Sequence, residues 1–147
     1  RLIAERLRDV LARGGRARIL TGDYLNATEP RALRRLLDFD GDIERRVFVC
    51  NRSSFHPKTY IFTRRSGAGV AYVGSSNLTQ SALTHGIEWN YRLASIDNQI
   101  GFADARRQFA TLFAHASTQP LQPEWIDAYA LRRSPSTPAW FEPETEA

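Results

Sequence analysis

The chain has 147 residues, 42% hydrophobic and 24% charged, with a formal net charge of +4. That length fits one domain, and a chain of this size buries roughly 68–70% of its unfolded surface, enough for a core without staples. A single cysteine excludes an internal disulfide framework, no apolar run approaches the ~20 residues of a membrane span, and no signal-peptide pattern opens the chain. Three histidines, His56, His85 and His115, with no HExxH or CxxC spacing, argue against a zinc enzyme.

In chain order, Ile3, Leu7, Val10 and Leu11 form one face of an amphipathic helix stopped by Gly14-Gly15. Ala17–Thr21 reads as a short strand. Pro30 then starts a helix whose core face is Leu33, Leu36 and Leu37, ended at Asp40-Gly41-Asp42. Val47–Cys50 has the character of a buried strand, with Cys50 as an apolar filler. Phe55–Thr63 alternates as a strand around His56 and Lys58, and a Gly-rich turn leads into a strand over Val70–Val73. Asn77 has the chemistry of an N-cap for a helix to Leu83, and Glu88–Ala94 alternates again, with Trp89 and Tyr91 assigned to the core. A helical stripe runs from Phe102 to Ala116, closed by His115 as an imidazolium suited to the helix dipole. Pro123 opens a last helix carrying Trp125 and Tyr129. Five of the seven prolines lie between 120 and 143, so residues 134–147 read as a Pro-rich acidic linker or tail behind a domain over 1–133. The pattern is α/β, a mixed β-sheet flanked by helices on both faces. The absence of any methionine and the start on Arg1 lead us to expect an excerpt of a longer protein.

Nineteen of the twenty basic residues are arginine; the one lysine is Lys58. Ammonium and guanidinium differ in shape and chemistry, so the position that stayed lysine is a pointer. Charge is uneven: residues 1–65 hold 15 basic and 8 acidic groups, a balance of +7, and the remainder is acidic at −3. A basic half fits a polyanion partner or, equally, a solvated arginine-rich face. Arg64 and Arg65 divide the same way, between phosphate-backbone contacts and a solvated hairpin. His85, beside Gly86, reads as a surface turn residue.

The chemistry concentrates in His56-Pro57-Lys58, Gly74-Ser75-Ser76-Asn77 and Glu88. Residues two apart on a strand share a face, which pairs His56 with Lys58 and Ser75 with Asn77. An imidazole, an ammonium, a hydroxyl, a carboxamide and a helix N-terminus are the groups that hold a phosphate. His56 could attack phosphorus, Lys58 and Asn77 could hold the non-bridging oxygens, with Ser75 alongside, and Glu88 could fix the tautomer of His56.

This constellation resembles the phospholipase D superfamily, whose motif is HxKxxxxD with a downstream GSxN and a glutamate. The aspartate of that motif falls on Thr63 here. The longer string FHPKTYIF…AYVGSSNLTQSALTHGIEWNYRL is similar to the phospholipase-D-like domain of bacterial superfamily II helicases and related restriction-type nucleases, and the likeness covers most of residues 16–133. It implies a phospholipase-D-like fold, here lacking its first strand. It implies metal-independent cleavage of DNA phosphodiesters through a phosphohistidine, with no cofactor. The catalytic positions are His56, Lys58, Asn77 and Glu88, and phosphate is held by Lys58, Ser75 and Asn77. Two histidines are required, so the resemblance implies a homodimer with the site at its interface, within a larger chain that carries a helicase domain. A catalytically attenuated module for nucleic-acid binding or dimerisation is the alternative that Thr63 raises. The single cysteine and the absence of a membrane segment fit a cytoplasmic protein.

Overall fold

The computed structural model describes residues 2–51, 54–77 and 87–133. In chain order its elements are α1 (Leu2–Ala12), β1 (Arg16–Gly22), a single 3-10 turn (Tyr24–Asn26), α2 (Pro30–Leu37), β2 (Asp42–Phe48), β3 (Thr59–Thr63), β4 (Gly69–Gly74), β5 (Asn90–Ala94), α3 (Gln99–Phe113), β6 (Thr118–Pro120) and α4 (Pro123–Arg132). The α/β class read from the sequence is the class found, with the strands arranged as two three-stranded sheets, β1-β2-β6 and β3-β4-β5. The chain divides into two compact units, Arg1–Ser54 with Gln119–Ala147, and Phe55–Thr118.

In the first unit, α1 ends because Gly14 takes a φ of +73° and the Gly15 N–H reaches back to the Val10 carbonyl at 2.9 Å, a glycine-terminated helix end. Of the apolar stripe assigned to α1, only Leu11 is buried; Ile3 and Val10 are exposed. β1 and β2 run parallel, from Arg16 opposite Asp42 to Gly22 opposite Phe48. β2 therefore begins five residues before the strand expected at Val47 and ends before Cys50. Its charged half is held by backbone pairing and by Arg16 bridging Asp42 and Glu44, which an apolar pattern does not register. Cys50 lies beyond the strand and is half-buried rather than a core filler.

The core of this unit is Leu33, Val47, Leu121, Ile126 and Tyr129, with Leu36, Leu37 and Trp125 packed against it. Tyr129 is fully buried, and its hydroxyl donates to the Thr28 carbonyl at 2.9 Å, so the phenol carries no unmet polar group inward. Trp125 stacks on Tyr129 with ring centroids 5.1 Å apart. β6 was not anticipated; three residues are too few to show a period.

In the second unit β3, β4 and β5 form an antiparallel meander, and α3 packs against β4 and β5. Asn98 caps α3 by accepting from the Gly101 N–H at 2.8 Å, so the helix starts three residues before the apolar stripe does and stops at Phe113, leaving Ala116 exposed outside it. Phe102 and Phe113 are its buried residues. Gly69 lets this packing close: a Cβ there would overlap the Phe62 carbonyl and lie 2.8 Å from Phe102 Cζ. His115 lies just past the end of α3, where its Nδ1 accepts the Ser117 N–H at 3.0 Å. Two further expectations need correcting. The strand expected from Phe55 begins only at Thr59, since Pro57 has no N–H for a ladder. Trp89 and Tyr91 are exposed rather than core residues.

The helix expected over Asn77–Leu83, His85 and the tail from residue 134 lie outside the described residues, apart from Asn77 itself. Among the described residues no helix is long and apolar enough to cross a membrane.

The first unit's core sets a stability prediction. Ile126 has no exposed surface, so Ile126→Ala should lose about 2–5 kcal/mol of unfolding free energy by urea titration. An unchanged midpoint would show that α4 does not anchor this core.

Candidate active site

The site forms at one end of the β3-β4-β5 sheet, where the chain enters β3, leaves β4 and enters β5. Two hydrogen bonds carry the ladder a step past the strands: the Gly74 N–H donates to the Lys58 carbonyl at 3.2 Å and the Ser75 N–H to the Trp89 carbonyl at 2.9 Å. These bonds bring His56-Pro57-Lys58, Gly74-Ser75-Ser76-Asn77 and Glu88-Trp89 to the same end of one sheet. Glycine is required before Ser75 because a Cβ at position 74 would overlap the Trp89 carbonyl oxygen.

Lys58 Nζ lies 2.8 Å from His56 Nε2 and 2.9 Å from Nδ1, and donates to the His56 carbonyl at 3.3 Å. A neutral imidazole has one acceptor nitrogen, so the ammonium donates to only one of the two. His56 itself is exposed and Lys58 half-buried. Partial burial draws the Lys58 ammonium below its ordinary pKa, opposed by the nearby Glu88 carboxylate. Ser75 Oγ donates to Glu88 Oε2 and accepts the Trp89 N–H at 3.0 Å. The Glu88 carboxylate takes the Ser75 hydroxyl, and its field reaches Lys58 and Tyr60. Asn77 is exposed, two residues past Ser75.

Three supporting residues escaped the sequence reading. Ser76 is buried, its carbonyl accepting from the Tyr60 hydroxyl at 2.7 Å and its Oγ from Asn90 Nδ2 at 2.6 Å. Tyr60 and Asn90 thus hold the middle of the Gly-Ser-Ser-Asn turn from two neighbouring strands. Burial, and then Glu88, push the Tyr60 phenol above its ordinary pKa, so it stays a donor. The available signal was parity: Tyr60 stands two past Lys58, and Asn90 two past Glu88.

Thr63, at the motif's aspartate position, pairs with Gly69 at the opposite end of β3. Five residues of extended chain put it on the order of 17 Å from Lys58. Arg64 and Arg65 follow in an exposed hairpin closed by the Arg64 N–H to Ala68 carbonyl bond, and Arg64 also accepts from Gly67.

The other unit carries an open polar cavity of about 740 Å³ beyond the C-terminal ends of β1 and β2. Asp23 spans its wall, accepting from the Cys50 N–H at 2.7 Å and from Arg132 at 2.6 Å. Partial burial and Asp23 push the Cys50 thiol upward, away from thiolate chemistry. Among the described residues no group of His, Cys, Asp and Glu gathers as a metal site.

The clamp on Ser76 yields a prediction. Tyr60→Phe deletes one part-buried hydrogen bond and should lower stability by about 0.5–1.5 kcal/mol, with faster amide exchange at Ser75 and Ser76. Unchanged exchange there would mean that the hydroxyl does not hold the turn.

A family model described as "Cardiolipin synthase, PLD-like domain" matches residues 1–114, well over half of the chain. No curated protein matches it. The matched stretch contains His56, Lys58, Ser75, Asn77 and Glu88, the residues gathered at the end of the second sheet or flanking it. The chain belongs to the PLD-like domain family of the phospholipase D superfamily.

Proposed function

We propose that this domain is a metal-independent nuclease that cleaves DNA phosphodiesters through a phosphohistidine. Membership of the superfamily points to phosphodiester chemistry in general; the DNA substrate rests on the string shared with helicase-associated and restriction-type nucleases and on the basic first half of the chain. The observation that carries the reading is the Lys58 ammonium against the ring nitrogens of His56, beside the Ser75–Glu88 pair.

In this mechanism a ring nitrogen of His56 attacks phosphorus and the P–O bond to the leaving group breaks. Lys58, Ser75 and Asn77 hold the non-bridging oxygens as their charge grows. The leaving oxygen takes a proton from a second imidazole, which then removes a proton from the water that hydrolyses the phosphohistidine. One described motif supplies one such imidazole, so the second comes from the same histidine of a second copy. A two-fold axis brings a residue to its own counterpart. The domain then works as a homodimer, within a larger helicase or restriction-type chain, in a reducing compartment such as the cytoplasm. The place of Thr63 at the end of β3 away from Lys58 supports an active site over an attenuated one.

Three outcomes test this. Cleavage of DNA should persist in EDTA and be lost in His56→Ala, and a phosphate-labelled His56 should be trapped by acid quench. EDTA-sensitive cleavage, or a fully active variant, would falsify the mechanism; binding without any cleavage would leave an attenuated binding module instead. Lys58→Ala should cost on the order of 10²–10³ in kcat, and Lys58→Arg, equal in charge, should also lose most turnover while keeping the fold by circular dichroism. The ammonium is needed charged and its pKa is lowered, so kcat/KM should fall as pH rises through a value below the ordinary 10.5 of lysine. A profile flat to that pH would remove Lys58 from phosphate binding.

A further inference from the structure

Trp89 and Tyr91 are 84% and 67% exposed, although each stands on the sheet face that α3 covers farther along at Leu93. Val73, in register with Tyr91, is exposed beside them. Large aromatic rings left in water along a hydrogen-bonded strand and its leading residue mark a surface that meets a ligand. This ledge is also fixed to the candidate site: both backbone groups of Trp89 are bonded to Ser75, and Glu88 precedes it directly.

We propose that Trp89 and Tyr91 form a stacking platform for unpaired bases of a nucleic-acid strand whose phosphate lies at His56 and Lys58. The inference rests on the nuclease reading above and adds a single-strand preference to it. Two observations identify the occupant. Residues 55–118 carry six basic groups against three acidic ones, so the unit favours an anionic partner. Side chains two apart on a strand stand about 7 Å from each other, which gives each ring room for its own base. A base in a duplex has both faces covered by its neighbours, whereas an unpaired base offers one to an aromatic side chain. Stacking of this kind tolerates any sequence, since every base has a π-face.

The test compares wild type with Trp89→Ala, Tyr91→Ala and Trp89→Phe by fluorescence anisotropy. The probes are a labelled single-stranded oligonucleotide, its duplex, and an abasic strand with the same number of phosphates. The expected result is tighter binding of the single strand than of the duplex or the abasic strand. Each alanine should lower single-strand affinity at least about fivefold, leave abasic affinity unchanged, and be largely reversed by phenylalanine at position 89. Equal losses on base-containing and abasic strands, or no loss on either, would overturn the platform. So would conversion of a dimer to monomers by Trp89→Ala in sedimentation, which would assign the face to a second copy, or loss of binding to phosphatidylglycerol vesicles with oligonucleotide binding intact. Hydrolysis of bis(p-nitrophenyl) phosphate by wild type separates the two ideas, since this substrate has no bases: its absence sinks the nuclease reading, while base-dependent binding alone decides the platform.

Discussion

The register of β4 between β3 and β5 is the constraint on which the candidate site depends. Thr59 pairs with Val73 and Gly74 with Asn90, and those two alignments put Lys58, Ser75 and Glu88 at one end of the sheet. A slip of one residue would send every side chain of a strand to the opposite face, parting Tyr60 from Ser76 and Ser75 from Glu88 together. Glycines hold the register at both ends of β4. Gly69 admits the Phe62 backbone and the Phe102 ring, and Gly74 admits the Trp89 backbone. The packing of α3 at one end and the geometry of the Gly-Ser-Ser-Asn turn at the other therefore share one strand alignment.

Much of this was legible in the sequence, for identifiable reasons. The spacing of Leu33, Leu36 and Leu37 located α2, and Pro123 located α4, because each signal is local and each helix buries the face its period marks. The charged half of β2 was not legible. Asp42 to Arg46 are held by parallel pairing with β1, and the residues that pair with them lie more than twenty positions away. Trp89 and Tyr91 were misassigned for a related reason: alternation says that two residues share a face, and nothing in it says whether a helix covers that face along its whole length.

At the candidate site the motif residues were legible and their partners were not. His56, Lys58, Ser75, Asn77 and Glu88 stand at spacings that one strand and one turn can use. Tyr60 and Asn90 act through Ser76, a position the motif leaves open, so parity with Lys58 and Glu88 places them on the right faces without marking what they hold. The Ser75–Glu88 bond likewise depends on how β4 ends against β5. Chemistry-bearing residues were therefore easier to find than the residues that hold them.

The lone lysine joins these strands of argument. In a chain with nineteen arginines, a cation at position 58 has a compact head that fits 2.8 Å from one imidazole nitrogen while its backbone carbonyl anchors Gly74. Guanidinium is planar, broader and fixed in a fork of donors, and beside the His56 ring it would have to approach edge-on or displace the ring. It also keeps its proton under all ordinary conditions, whereas partial burial already draws the Lys58 pKa downward. Both properties separate lysine from arginine at this position in a way that net charge does not. The same compositional bias that makes a lysine rare in this chain thus falls silent at the one position where the shape of the cation, more than its charge, meets the imidazole of the candidate site.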